Sequence, residues 1–195
     1  MKSVQSTILL NDLSQLTQEI IQKVSKSIGK LSVNQINWRP NTETWSLNQI
    51  FAHLNAYAEY YHENIQKRIE KTRFREPTSV FVSSPLGRSA WKSMKLGNAH
   101  NVKRKFRAPK EYNFALNGKP IAENEATVFI ERQHEMLNIL QLSLEVSLRK
   151  VKIPISISRI VKLRLGDCLL FVIYHNERHV QQALNLIKHP NFPKK

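Results

Sequence analysis

LGDCLLFVIYHNERHVQQ, residues 165–182, repeats at the period of an α-helix. Cys168, Phe171 or Val172, His175, His179, Gln182 and Leu186 recur every three or four residues, which gathers them on one face. The spacing predicts a helix from about Gly166 to Lys188, ended by the pair His189 and Pro190, because the residue before a proline is pushed out of the helical region. A seam that should carry aliphatic side chains here carries two imidazoles. Side chains at i and i+4 stand about 5–6 Å apart at Cβ, close enough for both rings to meet one metal ion at about 2.0–2.1 Å.

Three further stretches share the period. Leu13, Leu16, Ile20, Val24 and Ile28 mark a helix over Asn11 to Lys30. WSLNQIFAHL, residues 45–54, opens another with a full set of start signals. Ser46 suits the N-cap, Gln49 completes a capping box, and Trp45 can staple onto Ile50. This helix is expected to run to about Arg75, with Leu47, Ile50, Leu54, Tyr57, Tyr61 and Ile65 on its inner face and the pair Glu63 and Lys67 on its wet face. His53 falls between Ile50 and Tyr57 on that inner face. A third helix is read from about Ala122 to Lys150 through Phe129, Ile130, Leu137, Leu140, Leu144 and Leu148.

SVNQINWRPNTETW and VKIPISISRIVKLRLGD, broken by Pro40 and Pro154, read as connections. From Glu76 to about Ala122 no strong period holds, and Pro77, Pro85, Pro109 and Pro120 interrupt the chain. A gap of that length predicts local order within it: a short helix around Arg88 to Gly97 and an extended, ordered crossover along KFRAPKEYNF. Four long helices connected in this way predict an all-α protein, a four-helix bundle in a single domain over residues 1–195 with its long crossover between the second and third helices.

Composition narrows the class. A chain of 195 residues is long enough to bury a core without staples. The lone Cys168 excludes an intramolecular disulfide framework and suits a reducing cytoplasm. There is no apolar run of about 18 residues and no secretory h-region, so a soluble cytoplasmic protein without a membrane partner is expected. The charge balance is unusual, with 30 Lys and Arg against 15 Asp and Glu, a net +15. Arg88, Lys92, Lys95, Lys103, Arg104, Lys105, Arg107 and Lys110 fall between Ser84 and Lys110 with no acid among them.

Two readings stand open for the histidines. They are separate core or surface residues, each bonded to a carbonyl or water, or they share a metal. An imidazole buried without partners leaves polar nitrogens unsatisfied at about 1–3 kcal/mol per group. For a lone His-x-x-x-His the first reading wins; with His53 on the seam of a second helix, the metal reading moves ahead. Three neutral imidazoles leave coordination positions open for water or substrate, as in a catalytic site. Gln182, one turn beyond His179, is a candidate for the pocket or for support of a ligand. Tyr57, Tyr61 and Trp45 can line the pocket, although aromatic residues at helical spacing also serve as plain core. His134, at the margin of the third helix's stripe, is a candidate extra ligand or pocket residue. His62, His100 and His189 read as surface residues, and Glu177 points away from both histidines of its helix and receives no role.

NWRPNTETWSLNQIFAHL, residues 37–54, followed more than a hundred residues later by residues 165–182, resembles the DinB-like superfamily of metal-dependent enzymes. The likeness runs nearly end to end and includes KFRAPKEYNF. It implies an up-down-down-up four-helix bundle, a homodimer, and a divalent metal, nickel or zinc, bound by three histidines: by motif His53, His175 and His179. Characterised members include thiol S-transferases, an isomerase that uses a small thiol, and metal-dependent hydrolases. The resemblance therefore implies a hydrolase or thiol S-transferase acting on a small molecule, with water or a low-molecular-weight thiol activated at the metal. One departure is Arg164, where relatives commonly cap the last helix with Ser or Thr. A contrasting reading rests on NVKRKFR: Lys103, Arg104, Lys105 and Arg107 around one aromatic could meet the phosphates of nucleic acid or another polyanion, with steep salt dependence, or attract an acidic substrate. No nucleic-acid-binding motif accompanies them.

Overall fold

The structure is a computed structural model that describes residues 3–97 and 108–194. His100 and the cations Lys103, Arg104, Lys105 and Arg107 therefore lie outside the described residues. Within them the chain forms α1 (Ser6–Ser27), α2 (Val33–Asn37), α3 (Leu47–Lys71), α4 (Pro85–Met94), α5 (Glu125–Leu142) and α6 (Leu165–Ile187). Two antiparallel pairs accompany the helices, β1 (Val4–Gln5) with β2 (Val80–Phe81) and β3 (Lys152–Ile155) with β4 (Ser158–Arg164). The fold is mostly helical, with two small sheets.

The long helices follow the apolar period. α3 packs on α5, α5 on α1, α1 on α6 and α6 on α3, closing a ring, while α4 lies along α6. Into the ring point Leu13, Ile20 and Val24 of α1, Leu54 and Ile65 of α3, Phe129 and Met136 of α5, and Leu169 and Ile173 of α6, all buried. Each such side chain taken from water is worth about 1.5–3 kcal/mol. The core also holds one amide pair, Asn176 Nδ2 donating to Gln133 Oε1 at 3.0 Å.

The start signals place α3, while α1, α4 and α5 begin at other residues than those expected. Ser46 Oγ accepts from Gln49 N at 3.2 Å and Gln49 Oε1 accepts from Ser46 N at 3.0 Å, the reciprocal capping box expected for α3. α1 begins at Ser6 rather than Asn11, because Ser6 N and Oγ donate to the carbonyls of Ser79 and Thr78. α5 begins at Glu125 and ends at Leu142, with a single 3-10 turn at Ser143–Glu145 before the chain extends. α4 starts at Pro85 rather than Arg88, capped by Ser84 Oγ, which accepts from Gly87 N at 3.0 Å. The described part of the KFRAPKEYNF crossover is not wholly extended; Lys110–Tyr112 forms a 3-10 turn.

Two expected connections hold regular structure. SVNQINW contains α2, opened by a second capping box between Ser32 and Gln35. KIPISISRIVKLR folds as the β3–β4 hairpin, pairing Lys152 with Arg164, Ile153 with Leu163 and Pro154 with Lys162, and shifting register between Pro154 and Ile155. Ile153 and Leu163 are buried while their neighbours Lys152 and Lys162 face outward, the alternation of a half-buried ribbon.

α6 starts without a side-chain cap. Arg164 makes no capping bond; instead Leu165 N donates to the Val151 carbonyl at 3.0 Å and Gly166 N to the Leu148 carbonyl at 3.1 Å. The approach is tight enough to demand glycine, since a Cβ on Gly166 would stand 2.6 Å from the Phe81 ring.

Candidate metal centre

α3 carries His53 and α6 carries His175 and His179 into the same interior. One ligating nitrogen from each lies within 4.8 Å of the others, and among the described residues no carboxylate or thiol joins the group. His53 Nε2 and His175 Nε2 are 3.2 Å apart, close to the roughly 3.3–3.4 Å that separates two nitrogens on one tetrahedral metal. His53 is 2% exposed and His175 is 5% exposed, whereas His179 is half-buried.

The other ring nitrogens fix the tautomers. His53 Nδ1–H donates to the main-chain carbonyl of Tyr112 at 2.8 Å, and His179 Nδ1–H donates to Gln182 Oε1 at 3.0 Å. Both acceptors hold the proton on Nδ1 and leave a lone pair on Nε2, the usual way a protein aims a histidine at a metal. His175 Nδ1 is buried and has no hydrogen-bond partner. If neutral His175 keeps its proton on Nδ1, a buried donor is unpaired and two lone pairs face each other across the gap to His53. If the proton moves to Nε2, it satisfies His53 and leaves His175 Nδ1 an acceptor without a donor. Either state leaves His175 Nδ1 without a partner, at about 1–3 kcal/mol; with the proton on Nδ1 the lone pairs of His53 and His175 Nε2 also stand 3.2 Å apart, a repulsion that one cation held by these nitrogens would turn into attraction. The residues present fit a divalent metal.

Electrostatics agree. Burial pushes His53 down to about 4, opposed by its bond to the Tyr112 carbonyl. Burial pushes His175 and His179 well below the ordinary histidine range, with the neighbouring imidazoles and Arg178 adding to the shift, and the Gln182 bond opposing it at His179. All three are neutral at neutral pH, the form that binds metal.

Aromatic rings wall the cluster. Trp45 lies 5.0 Å from His53 and stacks parallel to His179 at 6.2 Å. Tyr57 lies 4.9 Å from His53 and 4.6 Å from His175. Tyr61 stands behind Tyr57, its ring 6.1 Å away and its hydroxyl accepting from Ser156 N at 3.3 Å. Cys168, on the same helix, is fully buried with its thiol pushed up by that burial, so it is core and no nucleophile.

Some expectations need correction. His134 is exposed and stands apart from the three-histidine group. His62, expected on the surface, is 3% exposed; its Nδ1 meets Glu135 Oε2 at 3.0 Å because α5 covers that side of α3. His189 is half-buried and packs its ring 5.4 Å from Trp38. Two residues stand outside the expected set, Tyr112, which holds His53 through its backbone, and Ser156, whose N donates to Tyr61 Oη, and Phe171 stacks on His175 at 5.9 Å. Phe171 had appeared on the α6 stripe as an ordinary core position, and nothing in the sequence marks a main-chain carbonyl.

Helices facing one another bring three imidazoles together behind an aromatic wall, in a mostly helical protein whose histidines could hold a metal ion. The chain belongs to the DinB superfamily, whose sequence profile matches residues 15–183, a span that takes in all three histidines. No curated protein and no solved structure matches the chain.

Proposed function

We propose that this protein is a divalent-metal-dependent enzyme in which His53, His175 and His179 hold nickel or zinc and leave a position open to water or a small thiol. Imidazole ligands suit both metals. The observation that carries the reading is the pair of anchored Nδ1–H groups, on the Tyr112 carbonyl and on Gln182, which leaves Nε2 of His53 and His179 free as lone pairs in a cluster whose ligand nitrogens lie within 4.8 Å of one another. A bound divalent metal supplies Lewis acidity and lowers the pKa of a coordinated water or thiol.

The chain's own residues do the rest. Tyr112 and Gln182 fix the rings, Trp45 and Tyr57 exclude water from one side, and half-buried His179 marks the side on which a small substrate enters. Attack by water makes the protein a hydrolase; attack by a thiol makes it an S-transferase. We read the ring of α1, α3, α5 and α6 as the up-down-down-up bundle of the superfamily, in a cytoplasmic homodimer.

Elemental analysis of untagged protein tests the proposal, beside a His175→Ala, His179→Ala double variant. About one divalent metal per chain is expected in the parent and none in the variant. A parent that stays empty after exposure to nickel and zinc would overturn it.

A further inference from the structure

Residues 146–166, VSLRKVKIPISISRIVKLRLG, contain Arg149, Lys150, Lys152, Arg159, Lys162 and Arg164 and no Asp or Glu. Most of this stretch is the β3–β4 hairpin, and its tip carries apolar side chains outward. Ile157 is 70% exposed and Ile160 is 91% exposed. A single exposed isoleucine is ordinary on a protein surface. Two within four residues, at the end of a ribbon without one acid, call for a partner that is apolar at its centre and anionic around it.

The tip is also held in place. Tyr60 Oη donates to the Ile155 carbonyl at 3.0 Å, and Ser156 N donates to Tyr61 Oη at 3.3 Å. Two side chains of α3 thus pin the turn to the body of the molecule, so the isoleucines are presented without the cost of ordering a loose loop. Arg149, Lys150, Lys152 and Lys162 are exposed around the base.

We propose that this hairpin docks the protein on the surface of an anionic lipid bilayer, with Ile157 and Ile160 entering the boundary between headgroups and acyl chains and the flanking cations facing lipid phosphates. Such binding combines buried apolar area with attraction to anionic lipid. A nucleic acid would use the cations and leave the isoleucines in water. A second copy of the chain, meeting tip to tip, would press one acid-free segment against another. That no described helix is long and apolar enough to cross a membrane bears on spanning and leaves surface docking untouched. The inference stands apart from the metal centre.

The test is co-sedimentation of the full chain with vesicles of phosphatidylcholine alone or mixed with phosphatidylglycerol, at low and high salt. The parent is expected to bind the phosphatidylglycerol vesicles and release at high salt. An Ile157→Ser, Ile160→Ser variant, keeping the parent's circular dichroism and metal content, is expected to bind them about tenfold more weakly or worse. A parent that ignores anionic vesicles overturns the proposal, as does a variant that binds them as tightly as the parent, which would assign the attraction to charge elsewhere. If vesicles are ignored and an Arg149→Glu, Lys150→Glu, Lys152→Glu, Lys162→Glu variant loses the parent's retention on duplex DNA, the proposal is overturned and the hairpin reads nucleic acid; if the isoleucine variant instead loses a dimer present in the parent, the hairpin is a self-association surface.

Discussion

Tyr112 holds His53 through a main-chain carbonyl and Gln182 holds His179 through a side chain, so only the second support can be removed by substitution. Replacing such a partner costs about 10–100-fold in metal affinity. Gln182→Leu is expected to weaken zinc binding by that factor, measured by competition with a chromophoric chelator, while the fold stays intact. Unchanged affinity would strip Gln182 of its role. His53, His175, His179 and Gln182 could be found from the sequence because each sits on an apolar helical stripe where a polar side chain is out of place. Tyr112 could not, since a backbone carbonyl has no side-chain signature and the contact spans 59 positions along the chain. His62 was misread for a different reason. It lies about 180° around α3 from His53 at 3.6 residues per turn, and a one-sided stripe assigns that direction to water. α3 in fact packs on α6 with one side and on α5 with the other, so His62 is enclosed against Glu135 of α5.

At the scale of elements, caps were easier to read than lengths. The box between Ser46 and Gln49 starts α3 at the expected residue, and losing an N-cap hydroxyl costs about 0.5–2 kcal/mol. Ser46→Ala is accordingly expected to lower the urea midpoint with an unchanged slope; a stability equal to the parent's would mean the cap is replaced by water. The same box, Ser32 with Gln35, opens α2 and was open to the same reading, but α2 has only 5 residues and too few apolar positions to show a period. The β3–β4 hairpin was missed because Pro154 and the register shift beside it interrupt the alternation that marks a strand. Its stability comes from Ile153 and Leu163 packing on the helices, a tertiary cause absent from local sequence. α6 is the reverse case: its side-chain cap is missing, yet its seam is long enough to announce it.

Across the whole molecule, the buried imidazoles act together on stability. His53, His62, His175 and His179 all have their pKa lowered by burial. The unfolded chain therefore binds more protons than the folded one wherever pH lies between the folded and unfolded values, and stability falls as pH falls through that window. For His53 the window runs from 6.5 down to about 4, which at about 1.36 kcal/mol per pH unit amounts to roughly 3 kcal/mol. That alone is a large share of the 5–15 kcal/mol or so that holds an ordinary domain folded, and the other three histidines add in the same direction. Protonation also raises a net charge that already stands at +15, so self-repulsion works with it. Protein stripped of metal with a chelator is thus expected to hold a constant urea midpoint above pH 6.5 and to lose it steadily as pH falls toward about 4, followed by far-ultraviolet circular dichroism. With zinc present the stability near pH 7 is expected to rise with zinc concentration, because only the neutral imidazoles bind it, and that increment should vanish across the same window. A urea midpoint that stays level across that window would mean that these imidazoles accept protons as readily in the folded chain as in the unfolded one, and the buried, neutral cluster would have to be abandoned.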